Sequence, residues 1–281
     1  MRIDAWLAQA RQQLQPLSES ARLDAELLLS SVLEKDRTWL YTWSDKDLSA
    51  EQQQQVNELL VRRMRGEPVA YLIGERDFWS LNLQVHPSTL IPRADTETLI
   101  EWALELPLPA NSRVVDLGTG TGAIALALAS EQPGWQVSGV DFQSEAVTLA
   151  QTNALRNQLP RVTFCQSDWF SALSGTFDLI ASNPPYIDEA DEHLSQGDVR
   201  FEPRTALVAD DHGLRDLALI IDQAPQYLNG DGWLLLEHGY DQADAVCRML
   251  IQRGFVDVEN RRDLGNNPRI SGGRWPAQQL S

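Results

Sequence analysis

Cysteine and histidine are scarce in this 281-residue sequence, with two and four residues respectively. Cys165 and Cys247 are too few for a disulfide framework or a cysteine-based zinc site, and we expect both to be buried, reduced thiols. The four histidines lie far apart in the sequence and form no paired metal-ligand motif. We therefore expect no metal site.

Long apolar runs are also missing. No stretch approaches the roughly 18 apolar residues that a membrane-spanning helix needs. The N-terminal residues include charges and glutamines where a signal peptide would have an apolar stretch. With 43% hydrophobic and 22% charged residues, the composition is that of a soluble globular protein. The sequence predicts a cytoplasmic protein that does not bind a membrane.

The sequence has no excess of basic residues. Its formal net charge is -17, with 9 basic and 12 acidic residues in positions 1–75 and 14 basic and 28 acidic residues in positions 76–281. Binding of nucleic acid without sequence preference needs clustered lysine and arginine. The acidic chain therefore favours a basic protein partner over nucleic acid, although a local basic patch stays open.

The chain divides into three segments by pattern. Residues 1–75 have apolar side chains at helical spacing, and Ser49 begins a helix that we expect to end at Gly66, so this segment is predicted to be a small helical bundle. The alternation from Phe78 to Val85 predicts a β-hairpin within a linker of residues 76–90. Residues 91–281 form the third segment.

Strand and helix patterns alternate in this third segment. The predicted strands are 113–116, 136–140, 161–165, 177–181, 231–237 and 254–259. Such alternation predicts βαβ units and a mostly parallel sheet. Because ligands of such sheets bind beyond the carboxyl ends of the strands, candidate site residues should directly follow strands.

A glycine loop follows the first of these strands and comprises Asp116, Gly118, Thr119, Gly120, Thr121 and Gly122. Glycine permits positive φ and a close approach of the backbone to a ligand. The loop also satisfies the dinucleotide fingerprint, so by itself it does not distinguish cofactor classes. Asp116 either reaches the cofactor or supports the loop from behind.

Two further strand ends supply candidate cofactor contacts. Asp141 ends the second strand, where a carboxylate can accept hydrogen bonds from ribose hydroxyls. Asp168 and Trp169 follow the third strand. Asp168 either accepts the adenine amino group or caps a helix, and Trp169 either covers a flat base or ribose or belongs to the core.

The segment Asn183-Pro184-Pro185-Tyr186 follows the fourth strand. Two consecutive prolines restrict the backbone, so the Asn183 side chain and the Pro184 carbonyl form two fixed acceptors. A planar NH2 group offers two donors, and this pair can therefore hold an amide or an aryl amine. Tyr186 either packs over the substrate plane or faces a sulfonium group.

This segment resembles the Asn-Pro-Pro-Tyr signature of methyltransferases that act on planar nitrogens, in nucleic acids or in protein glutamine. Nearly the whole chain is similar to the family of bacterial peptide chain release factor N5-glutamine methyltransferases. The similarity is carried by residues 71–75, 78–79, 90–97, 116–122, 166–170, 183–187 and 197–203. Ala94 stands where the family usually has proline, which we expect to loosen that loop without changing the chemistry.

The resemblance implies an α/β fold with a seven-stranded, Rossmann-like class I methyltransferase sheet, and an N-terminal helical domain that recognises the substrate. It implies S-adenosylmethionine at the glycine loop, Asp141, Trp169 and Asn183. The methyl acceptor would be the glutamine of the Gly-Gly-Gln motif in class I release factors, and we expect the enzyme to be a monomer. Residues that either shape the substrate mouth or only stabilise loops are Arg93, Glu97, Phe201 and Glu202.

Three other functions remain as alternatives. A non-catalytic binding scaffold of the same fold would be expected to lose the loop glycines or Asn183, and neither is lost. An amino-methyltransferase that acts on adenine or another exocyclic amine would need a basic groove, which a net charge of -17 disfavours. A nicotinamide-dependent dehydrogenase would explain the glycine loop but would leave Asn183 to Tyr186 without a role.

Overall fold

The structure is a computed structural model and describes residues 1–277. It divides into two units. The first comprises Met1–Glu75 together with Ser195–Phe201, and the second comprises Arg76–Leu194 together with the chain from Glu202 onward. The assignment of Ser195–Phe201 to the N-terminal unit was not predicted from the sequence.

The first unit is built from α-helices. They are α1 (Ile3–Leu14), α2 (Ala21–Leu33), α3 (Arg37–Thr42), α4 (Ala50–Met64) and α5 (Val69–Ile73). Their apolar faces form one core that includes Trp6, Leu14 and Leu28. The predicted helical bundle is confirmed.

Helix α4 shows why the sequence folds this way locally. Ser49 Oγ accepts a hydrogen bond from Gln52 N at 3.1 Å, and Gln52 Oε1 accepts one from Ser49 N at 3.0 Å, which is a capping box. The helix is followed by Gly66 at φ +94°, a conformation that glycine adopts without strain. Both predicted ends of this helix are confirmed.

Arg63 explains how Ser195–Phe201 is held in the first unit. Its Nε donates to Asp24 Oδ2 at 2.8 Å and its Nη1 donates to Asp198 Oδ1 at 2.7 Å. The Arg63 side chain is buried, and a buried guanidinium needs carboxylate partners. Asp198 supplies one of them from a distant part of the chain.

The second unit begins with a hairpin of β1 (Glu75–Phe78) and β2 (Leu81–Gln84), as predicted. Its other helices are α6 (Glu97–Glu105), α7 (Ala123–Glu131), α8 (Ser144–Arg156), α9 (Arg215–Gln223) and α10 (Ala243–Arg253). Its other strands are β3 (Arg113–Leu117), β4 (Gln136–Asp141), β5 (Thr163–Gln166), β6 (Phe177–Ser182), β7 (Leu228–Glu237), β8 (Val256–Arg262) and β9 (Pro268–Arg274).

The last seven strands form one sheet in the order β5-β4-β3-β6-β7-β9-β8. The first five strands are parallel to one another, and β9 pairs antiparallel with both β7 and β8. The predicted seven-stranded, mostly parallel sheet is confirmed. From β3 the chain adds β4 and β5 on one side of the sheet, and then β6 and β7 on the other side. This change of side is a topological switch point, where a crevice for ligands opens at the carboxyl ends of the strands.

The starts of three strands differ from the prediction, and one whole strand was missed. Strands β5 and β8 each begin two residues later than predicted, and β7 begins at Leu228. Strand β9 was missed because its glycines, Gly272 and Gly273, have low strand propensity. The strand exists because β7 and β8 pair with it on both sides.

The expectation that both cysteines are buried was wrong. Cys165 is exposed and Cys247 is half-buried, and both are free thiols. Cys165 lies on β5, an edge strand of the sheet in which Phe164 is buried and the other three residues are exposed. Within residues 1–277, no helix has the length and apolarity to cross a membrane. The same residues contain no group of side chains suited to a metal ion.

Candidate active site

A cavity of about 280 Å³ lies at the carboxyl ends of β3 to β6. Its volume is close to the roughly 300 Å³ lower end of small-molecule sites. The predicted site residues that line it are Arg93, Gly118, Thr119, Thr121, Asp141, Asp168, Trp169, Asn183 and Pro185. Segments far apart in the sequence thus meet where the topology predicts a ligand site.

The glycine loop has an open outer face. Gly118, Gly120 and Gly122 have φ of +69°, +54° and +84°. The Gly120 amide donates to Asp141 Oδ2 at 2.9 Å, so Asp141 fixes the loop. A Cβ atom added to Gly120 would meet no protein atom within 4 Å, whereas one on Gly122 would meet packed side chains at 3.1–3.3 Å. The space over Gly120 is therefore open, although Gly120 does not line the cavity, and Gly122 serves helix packing.

Asp116 supports the loop from below. It is fully buried, and its Oδ2 accepts from Thr119 Oγ1 at 2.6 Å and from Ala125 N at 3.3 Å. Oδ1 has no hydrogen-bond partner within residues 1–277. Burial raises the pKa of Asp116 to about 7. Of the two roles considered for Asp116, these contacts favour loop support.

Asp168 and Trp169 both line the cavity. No helix begins after Asp168, so the helix-cap alternative is wrong. Trp169 has a φ of +46°, and its ring would lie 3.6 Å from a Cβ atom on Gly118. The indole therefore lies against the glycine loop, at the position where a flat ligand group could pack on it.

Asn183 is held at the cavity wall. Its Nδ2 donates to Thr96 Oγ1 at 3.3 Å, and the preceding Ser182 Oγ donates to Leu117 O at 2.7 Å. Thr96 also lines the cavity, and the sequence analysis gave it no role. It belongs to the segment 90–97 that carries the family resemblance, which was the only signal for it.

Tyr186 and Pro184 are not among the lining residues. The Tyr186 hydroxyl donates to Glu237 Oε1 at 3.3 Å, and burial together with the Glu237 charge raises the pKa of Tyr186. Gln242 Nε2 donates to the Tyr186 carbonyl at 2.9 Å. Tyr186 thereby fixes the end of the Asn-Pro-Pro-Tyr segment.

Of the four predicted mouth residues, Arg93 alone lines the cavity. Arg93 forms an ion pair with buried Glu202, which also accepts from Ile91 N at 3.0 Å. Glu97 Oε1 accepts from Trp79 N at 2.9 Å and so holds the hairpin turn. Phe201 belongs to the first unit. The contacts of Glu97 and Glu202 are those of loop-stabilising residues.

The cavity lining is acidic. Asp141, Asp168 and Asp216 contribute carboxylates, and Arg93 is the basic residue among the lining side chains. Burial raises the pKa of Asp141 and of Asp216. Asp216 was not predicted, because it lies at the start of α9, away from any strand end. This lining suits a ligand that carries positive charge and amino groups.

Known proteins are similar to this chain along nearly its full length. The PrmC N-terminal domain model matches residues 5–74, and the Methyltransferase small domain model matches residues 95–200. A release factor glutamine methyltransferase from Shewanella oneidensis is 55% identical and covers 94% of this chain and 92% of the relative. The one from Escherichia coli is 52% identical and covers 98% of this chain and 99% of the relative.

A solved methyltransferase from Pyrococcus furiosus is 17% identical, with a TM-score of 0.55 over 78% of this chain and 99% of that one. This likeness concerns the fold alone. The sequence relatives and both family models go further, because they span the helical unit as well as the sheet. The chain belongs to the release factor glutamine methyltransferase family.

Proposed function

We propose that this chain transfers a methyl group from S-adenosylmethionine to the side-chain nitrogen N5 of the glutamine in the Gly-Gly-Gln motif of class I peptide chain release factors. The observation that carries the proposal is the position of Asn183. It follows β6 and lines the same cavity as the glycine loop, in a chain whose relatives are named release factor glutamine methyltransferases.

The lining residues fit the cofactor that a methyltransferase uses. S-adenosylmethionine supplies an electrophilic methyl group on a sulfonium. Asp141 and Trp169 both line the cavity, where Asp141 would accept from the ribose hydroxyls and the Trp169 indole would cover the adenine. The open space over Gly120 leaves room for the rest of S-adenosylmethionine. Asp168 lines the cavity and would accept a hydrogen bond from the adenine amino group.

Asn183 and Pro184 would hold the methyl acceptor. An amide nitrogen is a poor nucleophile because its lone pair is delocalised into the carbonyl. Hydrogen bonds from the substrate NH2 to Asn183 Oδ1 and to the Pro184 carbonyl would strengthen as the nitrogen becomes cationic, which stabilises the transition state selectively. Holding two reactants in a near-attack geometry is worth roughly 7–11 kcal/mol in favourable cases.

The test is incubation of the chain with isotope-labelled S-adenosylmethionine and purified release factor, followed by mass spectrometry of the peptides. We expect label on the glutamine of Gly-Gly-Gln. A release factor with that glutamine replaced by alanine is the matched control and should take up no label. A parallel incubation replaces the release factor with DNA or RNA, and label there, with none in the release factor, would establish the amino-methyltransferase alternative.

We propose further that residues 1–75 recognise the release factor. This unit contributes no residue to the lining of the cavity. Removal of residues 1–75 should raise KM for intact release factor more than KM for a short Gly-Gly-Gln peptide. Because removal also eliminates the Arg63 partner of Asp198, the full chain with Asp198→Asn is the control for that single loss. Equal rises in both KM values would contradict a recognition role.

The proposal includes a monomeric, cytoplasmic enzyme that does not bind nucleic acid directly. Its support is the net charge of -17, which repels polyphosphates and like-charged copies of the chain. Light scattering on the purified protein should give a mass near 31.5 kDa, and a doubled mass would contradict the monomer.

A further inference from the structure

The outer edge of the hairpin strand β2 is paired with side chains. Within residues 1–277, β2 forms a two-stranded sheet with β1, so one of its two edges has no strand partner. Alternate residues of a strand direct their backbone N–H and C=O groups to the same edge, and here these residues are Asn82 and Gln84. Such backbone groups need hydrogen-bond partners when they are shielded from water. Two asparagines of α8 supply the partners.

Asn153 and Asn157 lie one turn apart on α8, and each pairs with the backbone of one β2 residue. Asn153 Oδ1 accepts from Gln84 N at 2.7 Å, and Asn153 Nδ2 donates to Gln84 O at 3.0 Å. Asn157 Oδ1 accepts from Asn82 N at 3.3 Å, and Asn157 Nδ2 donates to Asn82 O at 3.0 Å. A side-chain amide has the donor and acceptor groups of a backbone peptide, so the two asparagines fix β2 on α8 as a third strand would.

Asn153 differs from Asn157 in one contact, which reaches the glycine loop. The Nδ2 of Asn153 also donates to Thr121 O at 2.9 Å, whereas the second donor of Asn157 Nδ2 goes to the backbone of α8, at Asn153 O. Thr121 lines the cavity, and Asn153 is fully buried. An NH2 group has two hydrogens, so the carbonyls of Gln84 and Thr121 use both donors of Asn153. One buried amide therefore holds the hairpin strand and the glycine loop together.

The Thr121 carbonyl lies where the glycine loop turns into α7. In a continuous helix this carbonyl would accept from the amide four residues later, which is that of Ala125. Here Ala125 N donates to Asp116 Oδ2 at 3.3 Å, and Thr121 O accepts from Asn153 Nδ2. Two side chains thus satisfy the donor and the acceptor of one helical hydrogen bond. The backbone can then leave the helical path at Gly122, which has a φ of +84°.

The peptide between Thr121 and Gly122 is held at both of its polar groups. Asn153 binds its carbonyl, and its amide, Gly122 N, donates to Thr119 O at 2.8 Å. Helix α8 also packs closely here, because a Cβ atom on Gly122 would lie 3.2 Å from the Ala150 Cβ. We propose that Asn153 is a positioning residue for the cofactor, which orients this peptide and so holds the glycine loop in the conformation that binds S-adenosylmethionine. The inference rests on the proposed function through its cofactor only.

Asn153→Ala and Asn157→Ala form a matched pair on one helix. Each removes a side-chain amide from β2, but Asn153→Ala also removes the donor to the glycine loop. In isothermal titration we expect the Kd for S-adenosylhomocysteine to rise roughly tenfold in Asn153→Ala, or about 1.4 kcal/mol, and to stay unchanged in Asn157→Ala. KM for S-adenosylmethionine should rise by the same factor, while kcat at saturating cofactor stays close to that of the wild type. Equal affinities of the two variants would overturn the inference.

Hydrogen exchange in the wild-type chain gives a second test, which holds even if Asn153→Ala does not fold. If Asn153 links the glycine loop to β2, a ligand that fixes the loop must also reduce opening at Gln84, because coupling between two sites is reciprocal. Bound S-adenosylhomocysteine should therefore slow exchange of the Gln84 amide more than exchange of the Asn82 amide, which donates to Asn157. Equal slowing of the two amides would contradict the link through Asn153.

The titration and the exchange experiment separate this inference from the proposed methyl transfer, since both use the full chain and S-adenosylhomocysteine without release factor. A wild-type chain that binds S-adenosylhomocysteine but leaves the glutamine unlabelled overturns the proposed substrate and not the role of Asn153. A wild-type chain that does not bind S-adenosylhomocysteine overturns both. Normal labelling of release factor by the wild type, together with equal affinities of folded Asn153→Ala and Asn157→Ala, overturns the role of Asn153 alone.

Discussion

The helical unit and the sheet unit both bury carboxylates, but they stabilise them differently. In the first unit, Asp24 pairs with Arg63 at 2.8 Å, and Glu26 pairs with Arg22 at 2.9 Å and Arg37 at 2.6 Å. Burial raises the pKa of Glu26, but hydrogen bonds from Tyr41 and the two arginines outweigh it and leave that pKa below its ordinary value.

In the sheet unit, buried Glu202 and Asp263 are also paired with arginines, Arg93 and Arg269, but Asp116 and Glu237 make no ion pair within residues 1–277. Each has one oxygen without a partner of regular hydrogen-bond geometry in that part of the chain. Burial raises the pKa of both to about 7. Unpaired buried carboxylates are costly and gather at functional sites. The difference is that both buried carboxylates of the first unit, Asp24 and Glu26, have arginine partners, whereas the second unit, as far as residue 277, leaves Asp116 and Glu237 without one.

Gly120→Val should give the largest effect and confine it to the sheet unit. The valine side chain would occupy the open space over the loop, so binding of S-adenosylhomocysteine should fall at least roughly 100-fold, or about 2.7 kcal/mol. Gly74→Val in the first unit is the matched control, because Gly74 also has positive φ, +79°, and no atom within 4 Å of an added Cβ. Isothermal titration would contradict the comparison if both variants lost affinity equally.

Asn183→Ala should reduce turnover more than substrate binding. Loss of one preorganised polar contact of this type costs about 2.7–4 kcal/mol, or roughly 10² to 10³ in kcat. Asn183→Asp keeps an acceptor in place and should retain more activity than alanine. Both variants should bind S-adenosylhomocysteine normally. Wild-type turnover by the alanine variant, measured with saturating cofactor and release factor, would exclude the clamp.

Arg63→Met should weaken the first unit and spare the cofactor site. It leaves the Asp24 carboxylate buried without its partner, which costs about 3 kcal/mol in the free energy of unfolding. The neighbouring Arg62→Met removes an exposed pair with Glu67 and should cost under roughly 1 kcal/mol. Urea unfolding measures both variants. Reduced S-adenosylhomocysteine affinity in folded Arg63→Met would contradict the expectation that the substitution leaves the cofactor site unchanged.

The last prediction is a pH dependence of opposite sign in the two units. Folded Asp116 and Glu237 keep protons that the unfolded chain has already released, so their contribution to stability falls as pH rises from about 4.5 to about 7. The slope is at most about 1.4 kcal/mol per pH unit for each carboxyl group. Glu26 has a lowered pKa, so its contribution is present above about 4.5 and is lost as pH falls below that value.

Unfolding at pH 5 and pH 8 tests these signs. Glu237→Gln should be stabilising relative to the wild type at pH 8 and less so at pH 5, because glutamine never carries the buried charge. Glu26→Gln should lower the stability by the same amount at both pH values. A pH-independent effect of Glu237→Gln would show that the buried charge of Glu237 has no cost.

The sequence by itself determined the parts of this protein that are written in contiguous residues. Alternating strands and helices predicted the parallel sheet, and the glycine loop and the segment Asn183 to Tyr186 each follow a strand. Local chemistry suffices there, because a strand end places its next residues at the ligand edge whatever the rest of the chain does. The capping box at Ser49 likewise needs only four neighbouring residues.

Tertiary structure alone decided the contacts between distant segments. Strand β9 forms because two partners pair with it, and Ser195–Phe201 joins the helical unit because Asp198 meets Arg63 across 135 positions. Thr96 and Asn183 are 87 positions apart, so no local pattern could reveal the hydrogen bond between them. A buried polar group must find its partner wherever the fold supplies one, and that choice is made by packing of the whole chain.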